Sequence, residues 1–186
     1  MGAHPAGSAG TLQKPLMSPA EPAARQNIAR GKPASQSSLS IYSVISDPQG
    51  GVDGIKNGKY GFCTAVEANP WWQVDLQGIY AIEEIVVFNR IDACADRAKT
   101  MRILLSEDGD QWRQLKEWQG GMFGGVDGNP LRVRPRGVLA RYVRLQLAAT
   151  SYFHLDEVEV YGVLQRPLEE QWVDPDAAFN FGGLGS

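Results

Sequence analysis

Residues 67–97 read EANPWWQVDLQGIYAIEEIVVFNRIDACADR. Asn69-Pro70 is a turn signal; Trp71 and Trp72 follow, and then Val74 and Leu76 alternate with polar Gln73 and Asp75. A period of two is that of a strand with one buried face. Gln77-Gly78 interrupts the alternation. Residues 82–88 (IEEIVVF) then form a second apolar, β-branched run, which ends on Asn89-Arg90. The reading predicts two strands with a break between them. Past the second strand, Arg90, Asp92 and Arg97 fall in a short polar loop, a common place for a binding group held by a rigid scaffold.

The same pattern repeats outward from this stretch. Residues 27–38 (NIARGKPASQSS) are polar and suit an edge strand, and residues 50–61 (GGVDGIKNGKYG) are a glycine- and aspartate-rich loop leading to the tryptophans. Residues 100–106 (TMRILLS) and 112–115 form strands around the hairpin turn SEDGD. Residues 120–128 (GGMFGGVDG) are a second glycine-rich loop, and 131–133 a short strand. In 141–147 (RYVRLQL) and 155–161 (LDEVEVY), Val143, Leu145, Leu147, Val158 and Val160 face one way. Short strands at regular spacing, without a long helical period, define an all-β sandwich or barrel. Of Trp71 and Trp72, at least one is expected in the core, since buried tryptophan dominates small β cores; the alternative is a sugar-stacking platform.

The chain has 186 residues, 43% of them hydrophobic, and a formal net charge of −3. That length supports one domain with a sizeable core. The negative balance argues against nucleic acid or anionic lipid as a bulk electrostatic partner. No apolar run approaches the roughly 20 residues of a membrane helix. Residues 1–25, rich in Ala, Gly, Pro and Ser, read as a leader or linker, 26–162 as the domain, and 163–186 as an extension. No charged-then-apolar signal pattern opens the chain. It is either not exported by that route or a piece of a longer extracellular or cell-surface protein with other domains. The two cysteines, Cys63 and Cys94, could form one bridge or none. No nucleophile elbow, phosphate loop, CxxC pair or HExxH motif occurs, so no catalytic residue is expected.

Taken in order, NIARGKPASQSS, VDG, EANPWWQVDL, IEEIVVFNR, SEDGDQW, RYVRLQL and LDEVEVYG resemble the discoidin, or coagulation factor 5/8 type C, superfamily, over about residues 26–162. The resemblance implies the galactose-binding-like jelly-roll β-sandwich. Within it, Asn89-Arg90-Ile91-Asp92 followed by Arg97 is similar to the F-type lectins, or fucolectins. That implies a glycan-binding pocket in which Arg90 and Arg97 donate to sugar hydroxyls. A guanidinium offers donors in a fixed fork, and Asp92 would orient one of them. Without the resemblance, the three residues read equally well as a solvated ion cluster. Cys63 stands where that family has a histidine, and Ala93-Cys94 where it has two cysteines, so both cysteines are expected on the pocket wall and fucose specificity is in question. The resemblance also implies one structural calcium, held by Asp53 of the VDG loop and Glu157 of the last strand, with Asn57 in the same loop; oxygen donors on a polar loop suit that ion. His154 precedes the last strand in a loop; it is expected to be a solvated loop residue, the alternative being a histidine that reaches a ligand.

Two other functional readings stand beside the lectin. One is a protein- or phospholipid-binding discoidin domain, for which Met122-Phe123 is the candidate apolar spike. The other is a non-catalytic accessory domain of a larger glycan-processing or glycan-synthesising protein.

Overall fold

The computed structural model describes Gly2 and residues 25–168; most of the expected leader, and residues 169–186 of the extension, lie outside the described residues. The strands are β1 (Ala34–Gln36), β2 (Phe62–Cys63), β3 (Glu67–Ala68), β4 (Trp71–Phe88), β5 (Met101–Ser106), β6 (Arg113–Glu117), β7 (Leu131–Val133), β8 (Val138–Leu147), β9 (Thr150–Ser151), β10 (His154–Leu155) and β11 (Glu157–Pro167). The only helices among the described residues are two short 3-10 turns, Gln49–Gly51 and Ala95–Thr100. The expected all-β jelly-roll sandwich is the observed fold.

The strand β4 organises it. Its first half is hydrogen-bonded between β1 and β8, and its second half pairs with β11, β8 and β7. Along the first half, burial alternates as the sequence does. Along the second, Glu84 through Phe88 are all buried, because both faces are covered. The predicted break at Gln77-Gly78 is absent. Gln77 takes a positive φ of 59°, and its N–H is caught by Asp75 Oδ1 at 2.8 Å. The pairing with β8 skips between Asp75 and Tyr80, while β11 continues to bond the strand down to Gly78. Glutamine-glycine therefore makes a bulge, and the chain need not reverse because β11 supplies the ladder. By the same pairing, the pattern does not stop at Gly162: β11 runs on to Pro167.

The core is built on Trp72, which stacks on Phe62 with centroids 5.3 Å apart. Phe153 meets Phe62 edge-on at 5.4 Å. The indole N–H donates to the Pro48 carbonyl at 2.8 Å, so the largest buried side chain leaves no orphan donor. Gly51 lies flat on this pair. A Cβ there would sit 2.9 Å from the Trp72 ring and 3.0 Å from that of Phe62. Trp71 points to the other face and is half-buried under Arg144, whose guanidinium carbon is 4.5 Å from its ring. One tryptophan is thus core, as expected. The proposed spike is not one: Phe123 is buried and packs edge-on against Trp118, and only Met122 is exposed. The domain closes where Ile28 N donates to Val160 O at 2.9 Å and Asn27 Oδ1 accepts from Val160 N at 3.0 Å. These bonds bring the two ends of the domain side by side.

Candidate functional site

The loop after β4 is fixed from below. Asn89 is fully buried, and its amide donates to the carbonyls of Ala95 (2.8 Å) and Phe123 (3.0 Å). The N–H groups of Ile91 and Asp92 both point at Gly58 O, at 2.9 and 3.3 Å. This sets the loop against the glycine-rich segment 50–61. Arg90 lies nearly buried, 4.8 Å over the Tyr60 ring. Asp92 clamps it with two bonds, Nε to Oδ1 at 2.6 Å and Nη2 to Oδ2 at 2.8 Å. The pair holds the guanidinium above its usual pKa and the carboxyl below its own.

Arg97 is held differently. It sits on the 3-10 turn Ala95–Thr100, entered through Cys94 at φ 53°. Its guanidinium carbon lies 5.1 Å over the Tyr152 ring, and Nη1 is 3.2 Å from His154 Nε2. Arg90, Asp92 and Arg97 therefore do not form one ion cluster. Two guanidinium groups, anchored by different partners, face one cavity of about 310 Å³ lined by Tyr42, Tyr60, Cys63, Arg90, Cys94, Arg97, Tyr152 and His154.

His154 corrects the sequence expectation of a solvated loop residue. It is only 2% exposed and lies on β10, directly opposite Cys63 of β2. A guanidinium has no acceptor, so Nε2 must accept and Nδ1 must carry the proton. Burial first, then Arg90 and Arg97, lowers the imidazole pKa to about 4, so the ring is neutral at neutral pH. Nδ1 is buried without a partner among the described residues. Burial likewise raises the Cys63 thiol.

The second predicted group lies at the other end of the same loop. Glu157 is fully buried. Its Oε1 accepts from Gly54 N at 3.0 Å, and its Oε2 has no partner among the described residues. Burial, with the nearby charges of Asp53 and Glu159, pushes this carboxyl up to about 8. Asp53 Oδ1 accepts from Ile55 N at 2.7 Å. Asn57 is exposed, and its Oδ1 accepts from Lys59 N at 2.9 Å, within its own turn. Among the described residues no three His, Cys, Asp or Glu side chains come together as a metal-ligating group. A cation here would draw on backbone carbonyls as well, and calcium accepts such mixed oxygen sets. The orphaned buried oxygen of Glu157 fits that donor type.

Sequence reasoning missed Asp156. It is buried, and it accepts from Gly58 N at 2.8 Å and Asn57 N at 3.4 Å. It therefore shapes the loop whose Gly58 carbonyl holds the arginine loop. Its signal was in the alternation of 155–161, which puts Asp156 on the same face as Val158 and Val160.

The sequence model of the NedA-like, galactose-binding domain family matches residues 50–145. The chain belongs to this family. Within the galactose-binding domain, similarity extends to Fucolectin-1 of Anguilla japonica, 32% identical over 149 residues, 75% of this chain and 83% of the relative. The lectin domain of lectinolysin, solved with Lewis B antigen, is 31% identical, with a TM-score of 0.61 over 74% of this chain and 96% of that one. A Streptococcus pneumoniae fucose binding module is 26% identical, with a TM-score of 0.62 over 74% and 96%.

Cys63 and Cys94 both line the galactose-binding domain's cavity, the first buried and the second exposed, and both are free. Without reductant, a thiol reagent should therefore titrate one thiol in the native state, Cys94, and both in denaturant. Titration of neither in denaturant would mean that the two are bridged.

Proposed function

We propose that this lectin-type carbohydrate-binding module holds a terminal sugar in the cavity between Arg90 and Arg97. One observation carries the reading: two guanidinium groups with separate anchors converge on a single tyrosine-walled cavity. Sugar hydroxyl oxygens accept from such forks, and the C–H faces of a pyranose pack on aromatic rings. Asp92 and His154 fix the forks before the ligand arrives, which reduces the ordering cost of binding. The relatives named above are lectins and binding modules, and the chain is read as a non-enzymatic domain.

The pocket departs from the fucolectin pattern in its imidazole. Cys63 occupies the expected histidine position, and His154 offers a ring from the strand facing it. The ring is also committed to Arg97, so fucose is expected to bind weakly. A glycan array run with calcium and again with chelator tests the reading. Signal lost in an Arg90→Ala, Arg97→Ala double variant supports it, and signal retained there overturns it. The protein- or phospholipid-binding reading loses the spike assigned to it, since Phe123 is core.

A calcium ion is part of the proposal. Asp53 and Glu157 would hold it with loop carbonyls, and Asn57 lies in the same turn. The ion would neutralise the buried carboxylate and brace loop 50–61 against β11. A ligand that binds only the native state raises its stability by mass action. Tm should rise with added calcium, and Glu157→Gln should abolish the rise. The variant should melt no lower than the calcium-free wild type, because a neutral amide suits that burial. A wild-type melting curve identical in calcium and chelator would remove the ion from the proposal.

A further inference from the structure

The face of β4 turned away from the core carries a second cluster of arginines. Ile85 and Val87 point into the core, so Glu84 and Val86 occupy the opposite face. There Glu84 pairs with Tyr161 of β11, and Val86 with Arg132 of β7. The Glu84 side chain is only 4% exposed, yet three guanidinium groups gather on it. Arg25 Nη1 donates to Oε2 at 2.9 Å and Arg134 Nε to Oε1 at 3.1 Å, while Arg132 Nη1 stands 3.6 Å from Oε1. Arg25 also reaches Glu83 at 3.5 Å and lies 5.0 Å over the Tyr161 ring. Burial raises the Glu84 carboxyl, but the hydrogen bonds from Arg134 and Arg25 outweigh it and leave the pKa below its ordinary value. Glu84 is therefore ionised at neutral pH.

A single arginine would neutralise a buried carboxylate. Here a fourth follows as well, since residues 132–136 read RVRPR. The side chains of Arg25, Arg132 and Arg134 are 52%, 52% and 72% exposed, and Arg136 is exposed too. Of all their guanidinium donors, only Arg25 Nη1 and Arg134 Nε hydrogen-bond to described residues, both to Glu84. Glu84 is thus a buried hub that fixes the forks and leaves their remaining donors in water. A carboxylate fills one fork, whereas the oxygens of a sulfate or phosphate ester can bridge several. We propose that Arg25, Arg132, Arg134 and Arg136 form a second binding site, for the sulfate ester groups of an anionic glycan. It is separate from the Arg90–Arg97 cavity: at about 3.3 Å per residue, Glu84 lies roughly 13 Å back from the end of β4. It goes beyond the lectin reading and stands without it. The chain's net charge of −3 opposes a long polyanion such as nucleic acid, whose charge runs on past the patch. A short sulfated segment meets the patch alone.

The test measures binding of the full chain to immobilised heparin and to chemically desulfated heparin by surface plasmon resonance. Heparin should bind, more weakly as salt rises, and the desulfated polymer should bind at least about tenfold less tightly. Arg132→Gln with Arg136→Gln should weaken heparin binding at least about tenfold. Neither side chain hydrogen-bonds to Glu84, so the melting curve should not change. Arg113→Gln with Lys116→Gln, both exposed on β6, removes the same charge elsewhere and should weaken heparin binding far less. No heparin binding by the wild type, equal binding of the desulfated polymer, or an equal loss in the β6 variant overturns the proposal. Displacement by inorganic phosphate but not by inorganic sulfate overturns the sulfate assignment, and duplex DNA bound as tightly as heparin overturns the glycan one. On the array, uncharged glycans should bind the Arg132, Arg136 double variant as they bind the wild type; a loss there overturns the separateness of the site. If Arg97→Ala keeps the array signal while heparin behaves as expected, the lectin reading fails and the sulfate site stands.

Discussion

Arg97→Ala should lower affinity for the best glycan on the array at least about tenfold, with little change in Tm. Among the described residues the Arg97 guanidinium hydrogen-bonds only to His154, and its ring contact is with Tyr152. Its removal therefore deletes donors aimed at the cavity without opening the core. A hydrogen bond to a charged group contributes about 1.5–3 kcal/mol, and each 1.4 kcal/mol is about a factor of ten in Kd. Arg90→Ala should cost a similar amount. Its partner Asp92 is 41% exposed at the side chain, so water can take over there. Arg→Lys should rescue poorly at both positions, because an ammonium cannot reproduce the fork. Isothermal titration of the two alanine variants decides the matter, and wild-type affinity in both would place the site elsewhere.

Acid should destabilise the fold through His154. Its native pKa of about 4 lies below the ordinary imidazole value of 6.5, so the folded state holds the proton more weakly than the unfolded one. The stability contributed by the neutral ring is complete above about 6.5 and is lost as pH falls from there through about 4. At 1.36 kcal/mol per pKa unit, the loss by pH 4.5 is roughly 2–3 kcal/mol. The buried carboxyls act in the opposite direction, since Asp47, Asp156 and Glu157 are all raised. The contribution of the ring is therefore read as a difference. Urea unfolding of the wild type should lose more stability between pH 7.5 and 4.5 than that of His154→Gln. Glycan binding should weaken over the same interval, because an imidazolium cannot accept from Arg97 and repels it. Equal pH profiles for the two proteins would mean that the ring charges without cost.

The strands could be read from the sequence because their signal is local. Val143, Leu145 and Leu147 alternate with polar residues, and the structure buries all three. Arg90 and Asp92 were legible for the same reason: they follow a strand end directly, and their pairing spans two residues. What escaped reading depends on partners far along the chain. The glutamine-glycine pair after Leu76 looks like a strand break until β11 is known to bond across it. His154 looks solvated until β10 is paired with β2, which sets it opposite Cys63 with Tyr60 and Arg97 beside it. A retrospective signal exists: Phe153 and Leu155 flank the histidine as apolar neighbours, as Phe62 flanks Cys63, and two such short runs can pair.

The carbonyl of Gly58 receives the N–H groups of both Ile91 and Asp92, and its own N–H is held by Asp156. One short backbone segment thus carries the geometry of the arginine loop and belongs to the turn that reaches Asp53 and Glu157. Occupancy at the two ends of that segment is joined in a closed thermodynamic cycle. Any factor by which a cation at Glu157 tightens sugar binding must reappear, unchanged, as the factor by which sugar tightens the cation. Calcium titrated with and without saturating glycan measures that coupling free energy directly, and a Gly58→Ala change, which would force a Cβ to 2.7 Å from Ile91, should uncouple the two equilibria.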